Sequence, residues 1–279
     1  MVEIGQFNNL TIDKMVDFGA FLDGGRYGRI LLPKRYLPEG KQVGDTLRVF
    51  IYLDSEDQLI ATTETPKLVR GACAWLKVTD VNRYGAFLDW GLPKDLLVPF
   101  KEQNKPMELG RSYVVTLYLD NQERLVASSR LSRHIPETSR YLKPQQPVSL
   151  LVCGRTELGY KVVIEGNCLG LLFRDDAFKP LKYGQQVKGY IKDVRPDGKV
   201  NVSLQLPPIQ QREQLTEQII ANLRANGGHS PLTDSSAPDD IYHVYSVSKK
   251  TYKKAIGQLY KERRIDIGED GITLLDNAR

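Results

Sequence analysis

Apolar and polar positions alternate in short bursts through the first part of the chain, then change to a helical period after Pro208. The bursts Phe7 to Ile12, Phe18 to Leu22, Ile30 to Leu32, Leu47 to Leu53 and Gln58 to Ala61 predict five strands, since alternation sends successive side chains to opposite faces of a sheet. Gly24-Gly25, the stretch from Pro33 to Gly44, and Asp54-Ser55-Glu56-Asp57 separate them with turn and loop residues. The same five return at Ala72 to Val78, Tyr84 to Leu88, Leu96 to Val98, Val114 to Leu119 and Arg124 to Ser128. At a constant offset of 66, FGAFLDGG (Phe18 to Gly25) becomes YGAFLDWG (Tyr84 to Gly91), Pro33 becomes Pro99, Gly44 becomes Gly110, and Tyr52-Leu53-Asp54 becomes Tyr118-Leu119-Asp120. That period is too long for a solenoid unit. Five strands with a long connection after the third describe a small OB-fold barrel.

A third, diverged copy begins near Pro147. At an offset of 140, Gly159 falls on Gly19, Phe173 on Pro33 and Gly184 on Gly44. Arg130 to Gln146, rich in Pro, Ser and Arg, reads as the linker into it, and Leu206-Pro207-Pro208 as its close. Beyond lies a helix with Leu215, Ile219 and Leu223 on one stripe, stopping at Gly227. A second helix is expected from Pro238, capped by Ser236 with Asp239 three residues on. A third, capped by Ser248, turns Tyr252, Ile256 and Leu259 inward, and RIDIGEDGITLLD forms a hairpin turning at Glu269-Asp270-Gly271. Three helices closed by a hairpin make a winged helix. The expected fold is therefore mainly β with a C-terminal α+β module. It comprises three tandem five-stranded OB-fold barrels, at residues 1–66, 67–132 and 146–206, followed by a winged helix-turn-helix domain at 210–279.

The 279 residues suffice for several cores, and no apolar run approaches the roughly 20 residues of a membrane helix. The N-terminus MVEIGQFNNL lacks the basic start and apolar centre of a signal peptide, so a cytoplasmic protein is expected. Cys73, Cys153 and Cys168 are odd in number and far apart, which argues against a disulfide framework or a zinc or redox CxxC pair. The net charge of +5 is unevenly spread: residues 1–66 hold seven Lys and Arg against ten Asp and Glu, whereas residues 133–209 hold twelve against seven. Positive potential in the middle of the chain suits a polyanion.

The run FGAFL, followed by ILLP, VGDTLRVFIYLD and LIATTE, resembles the RNA-binding domain first described in ribosomal protein S-one. Two such domains, a diverged third containing LGYKVVIEGNCLGLLF, and a terminal module with SKKTYKKAIGQLYKERRI resemble the bacterial conserved virulence factor B (CvfB) family along essentially the whole chain. The resemblance implies an RNA-binding regulator without known catalytic residues, with both rings of each aromatic pair on the RNA side. The chain departs from the common pattern at Pro33 and Pro99, where many such domains carry a histidine or phenylalanine. In the third repeat Lys161 stands where Phe21 and Phe87 do, so its aromatic pair is to be drawn from Tyr160 and Phe173.

A binder of unpaired RNA wants exposed rings beside a basic groove, because each base has a flat apolar face and each phosphate a charge. Phe18 with Phe21 and Tyr84 with Phe87 are the candidate rings. Three residues apart in a strand, the members of a pair point to opposite faces, so one of each is expected in the core unless a bulge at Gly19 or Gly85 re-aims the chain. Arg26, Arg29, Lys34 and Arg35 flank the third strand of the first barrel, Arg83 and Lys94 that of the second, and Arg155, Lys161 and Arg174 that of the third. Lys249, Lys250, Lys253 and Lys254 make the last helix a phosphate-contacting one, but its first turns carry no Asn, Gln or Arg to read base edges. Packing is the expected role of Tyr252 and Tyr260. The repeated acids Asp23, Asp89, Asp54 and Asp120 lie at turns, where Asp serves local hydrogen bonding, and His134, His229 and His243 have no nucleophile partner by spacing. No catalytic residue, metal site or cofactor is nominated. The expected function is single-stranded RNA binding in post-transcriptional control of gene expression. The alternatives are a DNA-binding transcription regulator acting through the winged helix, a module interacting with the ribosome or RNA-processing proteins, and a ribonuclease.

Overall fold

The computed structural model describes residues 2–177, 180–204, 208–245, 247–268 and 270–275, with the side chains of 208–214 left aside. The chain divides into two compact units, Met1–Leu204 and Gln205–Arg279. In the first, five strands form each of three modules. β1 (Phe7–Val16), β2 (Gly19–Asp23), β3 (Arg29–Pro33), β4 (Thr46–Leu53) and β5 (Leu59–Thr62) close into a barrel in the order β1-β2-β3-β5-β4. The second module holds β6 (Cys73–Asn82), β7 (Gly85–Asp89), β8 (Leu96–Pro99), β9 (Ser112–Leu119) and β10 (Leu125–Ser128), paired in the order β10-β9-β6-β7-β8. The third, β11 (Pro147–Arg155), β12 (Gly159–Ile164), β13 (Cys168–Phe173), β14 (Gln186–Val194) and β15 (Val200–Ser203), is again a closed barrel. Parallel pairs close the first and third, Leu31 with Ile60 and Gly170 to Leu172 with Val200 to Val202. The equivalent β8 and β10 are not hydrogen-bonded to each other.

Strands β1, β6 and β11 run past the last apolar residue of their alternating run. Each carries a bulge, between Ile12 and Lys14, Val78 and Asp80, and Val152 and Gly154, which shifts the register before pairing with the next strand. Alternation fails there because the residues beyond the bulge leave the core.

The barrels are fused rather than strung on linkers. Phe50 and Tyr52 of the first barrel belong to one buried cluster with Leu76, Leu88 and Trp90 of the second. Their rings meet Trp90 at centroid distances of 5.8 and 6.2 Å. The stretch from Arg130 to Gln146, expected as a linker, is anchored at both ends of its first half. Leu131 and Ile135 are buried with Val114 of the second barrel and Leu151, Val163 and Leu169 of the third. His134 stacks on Tyr118 at 4.0 Å, and Leu169 donates its N–H to the Pro136 carbonyl at 2.8 Å. Trp75 meets Tyr183 edge-on at 5.0 Å, and the Tyr183 hydroxyl accepts the Val114 N–H at 3.1 Å.

In the second unit, α1 (Pro208–Ala225), α2 (Pro238–Tyr245) and α3 (Lys249–Lys261) pack with a small sheet of β16 (His229–Ser230), β17 (Ile265–Ile267) and β18 (Ile272–Leu274) in the order β16-β18-β17. The stripe Leu215, Ile219 and Leu223 is buried with Tyr252, Ile256 and Leu259. The helix α1 stops as the Gly228 N–H reaches back to the Leu223 carbonyl at 2.7 Å, with Gly227 at φ +69°. Ser248 caps α3 by accepting the Thr251 N–H. The cap expected from Ser236 is not made: its hydroxyl receives the Thr233 N–H at 2.9 Å instead, closing the loop before α2. Strand β16 carries only two residues and no readable alternation. Leu206 and Pro207, expected to close the third barrel, and Glu269 of the hairpin turn lie outside the described residues.

Candidate nucleic-acid interface

Gly19, Gly85 and Gly159 open the second strand of each barrel with φ of +153°, +151° and +157°, where a Cβ would fall 2.2 Å from the carbonyl oxygen of Leu32, Val98 or Leu172. Only glycine allows the two strands to approach this closely. The residue before each glycine is thereby turned out of the sheet, and Phe18, Tyr84 and Leu158 are 59%, 59% and 61% exposed. Alternation alone would put one ring of each pair in the core. Instead Phe21 and Phe87 are half-buried, so neither pair loses a ring to the interior. Phe18 and Phe21 meet edge to face at 6.2 Å. The Arg83 guanidinium lies 4.8 Å over the Tyr84 ring and donates to its hydroxyl at 2.7 Å, which holds the ring upright.

Across from these glycines stand Pro33, Pro99 and Phe173, all half-buried. The next residues, Lys34, Phe100 and Arg174, are exposed, Phe100 by 54%. Phe100 was missed in the sequence. Its place at the offset of 66 from Lys34 marks it, yet a phenylalanine ending an apolar run reads as core. The second barrel thus shows three accessible rings where two were expected.

The third barrel differs. Tyr160 is not a surface ring: it is buried among Val148, Val162 and Leu172, and its hydroxyl accepts the Leu181 N–H at 3.1 Å. As the second residue of β12 it faces inward, and the exposed position is taken by Leu158. Phe173 stays half-buried, with the Lys192 ammonium 5.7 Å from its ring. Lys161 pairs with Glu137 at 2.9 Å beside a cleft of about 140 Å³ that Arg195 and Lys199 also line. The hydrogen bond from Lys161 outweighs burial and, with the charges of Lys161 and Lys199, holds the Glu137 carboxyl below its ordinary pKa. Arg195 is itself paired with Asp197 at 3.2 Å, so Lys199 is the cation of this cleft left for a phosphate.

Other candidate cations are partly committed. Arg29 pairs with Asp13. Lys94 pairs with Asp57 at 2.8 Å and also donates to the Asp54 carbonyl, both in the first barrel, so it ties two modules together rather than waiting for a ligand. Arg174 reaches the Glu157 carbonyl at 3.3 Å, while Lys34 is exposed with no ion pair among the described residues. On α3, Lys253 pairs with Asp234 at 2.8 Å and Lys249 donates to the Ser235 carbonyl at 3.1 Å. Lys250 and Lys254, one turn apart, remain exposed. Tyr252 is buried, with its hydroxyl donated to the Leu232 carbonyl, but Tyr260, expected to pack, is 52% exposed.

The repeated acids hold turns. Asp23 and Asp89 each accept the N–H two residues on at 2.9 Å, and Asp54 and Asp120 each accept two backbone N–H groups across the β4–β5 and β9–β10 turns. His134 lies 3.2 Å from Glu102, which also accepts the Ser128 hydroxyl at 2.8 Å and lies 4.0 Å from the Arg133 guanidinium. Burial opposes the charge on Glu102, yet the bonds from Ser128 and His134 and the charges of His134 and Arg133 win and lower its pKa. Burial pushes the Cys73 and Cys153 thiols up to about 12, which makes them poor nucleophiles. Among the described residues no helix is long and apolar enough to cross a membrane.

A family model of the S1 domain matches residues 4–64 and again 71–130, and one of the CvfB-like winged helix domain matches residues 217–274. The uncharacterized protein YitL of Bacillus subtilis is 31% identical over 94% of this chain and 90% of its own. Conserved virulence factor B of Staphylococcus aureus is 29% identical over 84% of this chain and 80% of its own. A solved structure from Streptococcus pneumoniae, described as a multidomain protein with nucleic acid binding domains, shares 26% identity over 98% of both chains with a TM-score of 0.41.

Proposed function

Because the chain belongs to the conserved virulence factor B family, with S1 and winged-helix domains that make it a nucleic-acid-binding protein, we propose that it holds single-stranded RNA. In this reading it is a cytoplasmic, non-catalytic regulator acting after transcription. The observation that carries it is the exposure of Phe18 and Tyr84 at matched positions of two barrels, joined in the second by Phe100, in a unit that buries most of its other large apolar side chains. Bases in a duplex are already stacked, so free ring faces favour an unpaired strand, each contributing about 1–3 kcal/mol. Cations supply the backbone part: Lys34, Arg83 and Arg174 beside the strands, Lys199 in the cleft of the third barrel, and Lys250 and Lys254 on α3. The fusion of the three barrels supports the reading further, since a preorganised surface binds without the entropy cost of ordering loose modules.

The test is a comparison, at equal salt, of affinity for single-stranded RNA and for duplex DNA of matching sequence. The single strand should bind more tightly, with affinity falling steeply as salt rises. Tighter binding of the duplex would reject the proposal and move function to the winged helix.

A further inference from the structure

The third barrel lacks the exposed ring of its two counterparts: Leu158 stands in the place of Phe18 and Tyr84, Lys161 in that of Phe21 and Phe87, and Tyr160 is buried. A ring is nevertheless presented at its rim by the segment that joins the second barrel to the third. Tyr141 is 91% exposed, more than Phe18, Tyr84 or Phe100. Its backbone is fixed. Thr138 and Lys199 form an antiparallel bridge, and the Ser139 N–H donates to the Gly198 carbonyl at 3.0 Å, which lays the segment against the β14–β15 turn. Gly198, at φ +81°, permits this approach, since a Cβ there would lie 3.1 Å from that of Thr138. The Ser139 hydroxyl accepts the N–H groups of Tyr141 and Leu142 at 3.2 and 3.3 Å, and Leu142 packs against the core of the third barrel. Further on, the Gln145 N–H donates to the Ile191 carbonyl at 2.7 Å. The chain under Tyr141 is thus held on both sides while its ring projects into solvent.

We propose that Tyr141 is the stacking platform of the third barrel, taking one base of an unpaired RNA strand whose adjoining phosphates lie on Arg140, Lys143 and Lys199. The proposal deepens the single-stranded RNA reading and rests on it. Position supports it: OB barrels bind oligonucleotides on their second and third strands and on loops that include the one between the fourth and fifth. The segment carrying Tyr141 borders that loop through Thr138 and Ser139. Charge agrees. Residues 138–146 contain two cations and no acid. Arg140, Lys143 and Lys199 are exposed and have no ion pair among the described residues. The neighbouring acids are engaged elsewhere, Glu137 by Lys161 and Asp197 by Arg195. A ring on a backbone already fixed has little freedom left to lose when a base covers it, so most of the stacking energy remains as affinity. Tyr141 belongs to the joining segment and to no barrel strand, so the repeat holds no counterpart that would mark it.

The full chain is titrated with single-stranded RNA by fluorescence anisotropy over a series of salt concentrations. Tyr141→Ala should weaken binding by about tenfold. Its melting temperature and its slope of log affinity against log salt should not change, because neither a packed group nor a phosphate contact is lost. Tyr141→Phe, which keeps the ring, should restore the affinity. Lys199→Gln should instead make the slope shallower by about 0.7, the loss of one phosphate contact on a single strand. If Tyr141→Ala binds RNA as the unaltered chain does, the platform is refuted while the RNA reading stands, and the ring is left to a protein partner. Equal losses in Tyr141→Phe and Tyr141→Ala would also refute it, by showing that the hydroxyl and not the ring face makes the contact. Failure of the unaltered chain to bind RNA would bring down the broader reading.

Discussion

At Gly85 an added methyl group would meet the Val98 carbonyl oxygen at 2.2 Å, in a backbone conformation of φ +151° that other residues rarely adopt. Gly85→Ala should therefore lower stability by at least about 1–3 kcal/mol, read as a fall in melting temperature. In the fraction that remains folded, RNA affinity should also drop because Tyr84 is no longer turned outward. A lone substitution on the exposed face, such as Arg83→Gln, lacks the first effect. Alternation predicts one buried ring per pair, but it describes a continuous strand. Here the strand begins at the glycine, and Phe18 and Tyr84 stand before it. The recurrence of glycine in all three copies was legible, whereas the carbonyl against which it packs was not.

Within the elements, equivalent strands of the repeated barrels present different chemistry from the same backbone. Tyr84 and Tyr160 both neighbour the opening glycine, one before it and one after, and that single step sends one to solvent and the other to the core. Their alanine variants should separate cleanly. Tyr160→Ala should cost about 3–5 kcal/mol of stability, as for other large aromatic truncations, and leave RNA affinity of the folded protein unchanged. Tyr84→Ala should leave the melting temperature in place and weaken RNA binding by about 1–3 kcal/mol. Calorimetric melting and fluorescence anisotropy measure the two sides. The strands, the three helices and the Ser248 cap could be read directly because each is specified by neighbours in the chain. Strand β16 and the Ser236 hydroxyl could not, since their partners Thr273 and Thr233 are chosen by the fold of the loop and the hairpin.

Across the first unit, the Glu102 cluster binds the connecting segment to the second barrel through Ser128 and His134. Its carboxyl has a lower pKa folded than unfolded, so its contribution to stability is present above the ordinary glutamate value of about 4.3 and is lost as pH falls through the lower folded value. Melting temperature of the full chain should decline in that acid window, and Glu102→Gln should flatten the decline; an unchanged profile in the variant would contradict it. By itself the sequence determined three repeated five-stranded modules and a winged helix. Period, turn chemistry and capping are local properties that survive without knowledge of what packs where. Tertiary structure alone decided that the modules are fused through Trp90 and Ile135, that Lys94 is a tie and that Tyr160 is a core residue. Those facts depend on burial and charge pairing between residues distant in the chain, and no pattern of spacing encodes which distant group will arrive.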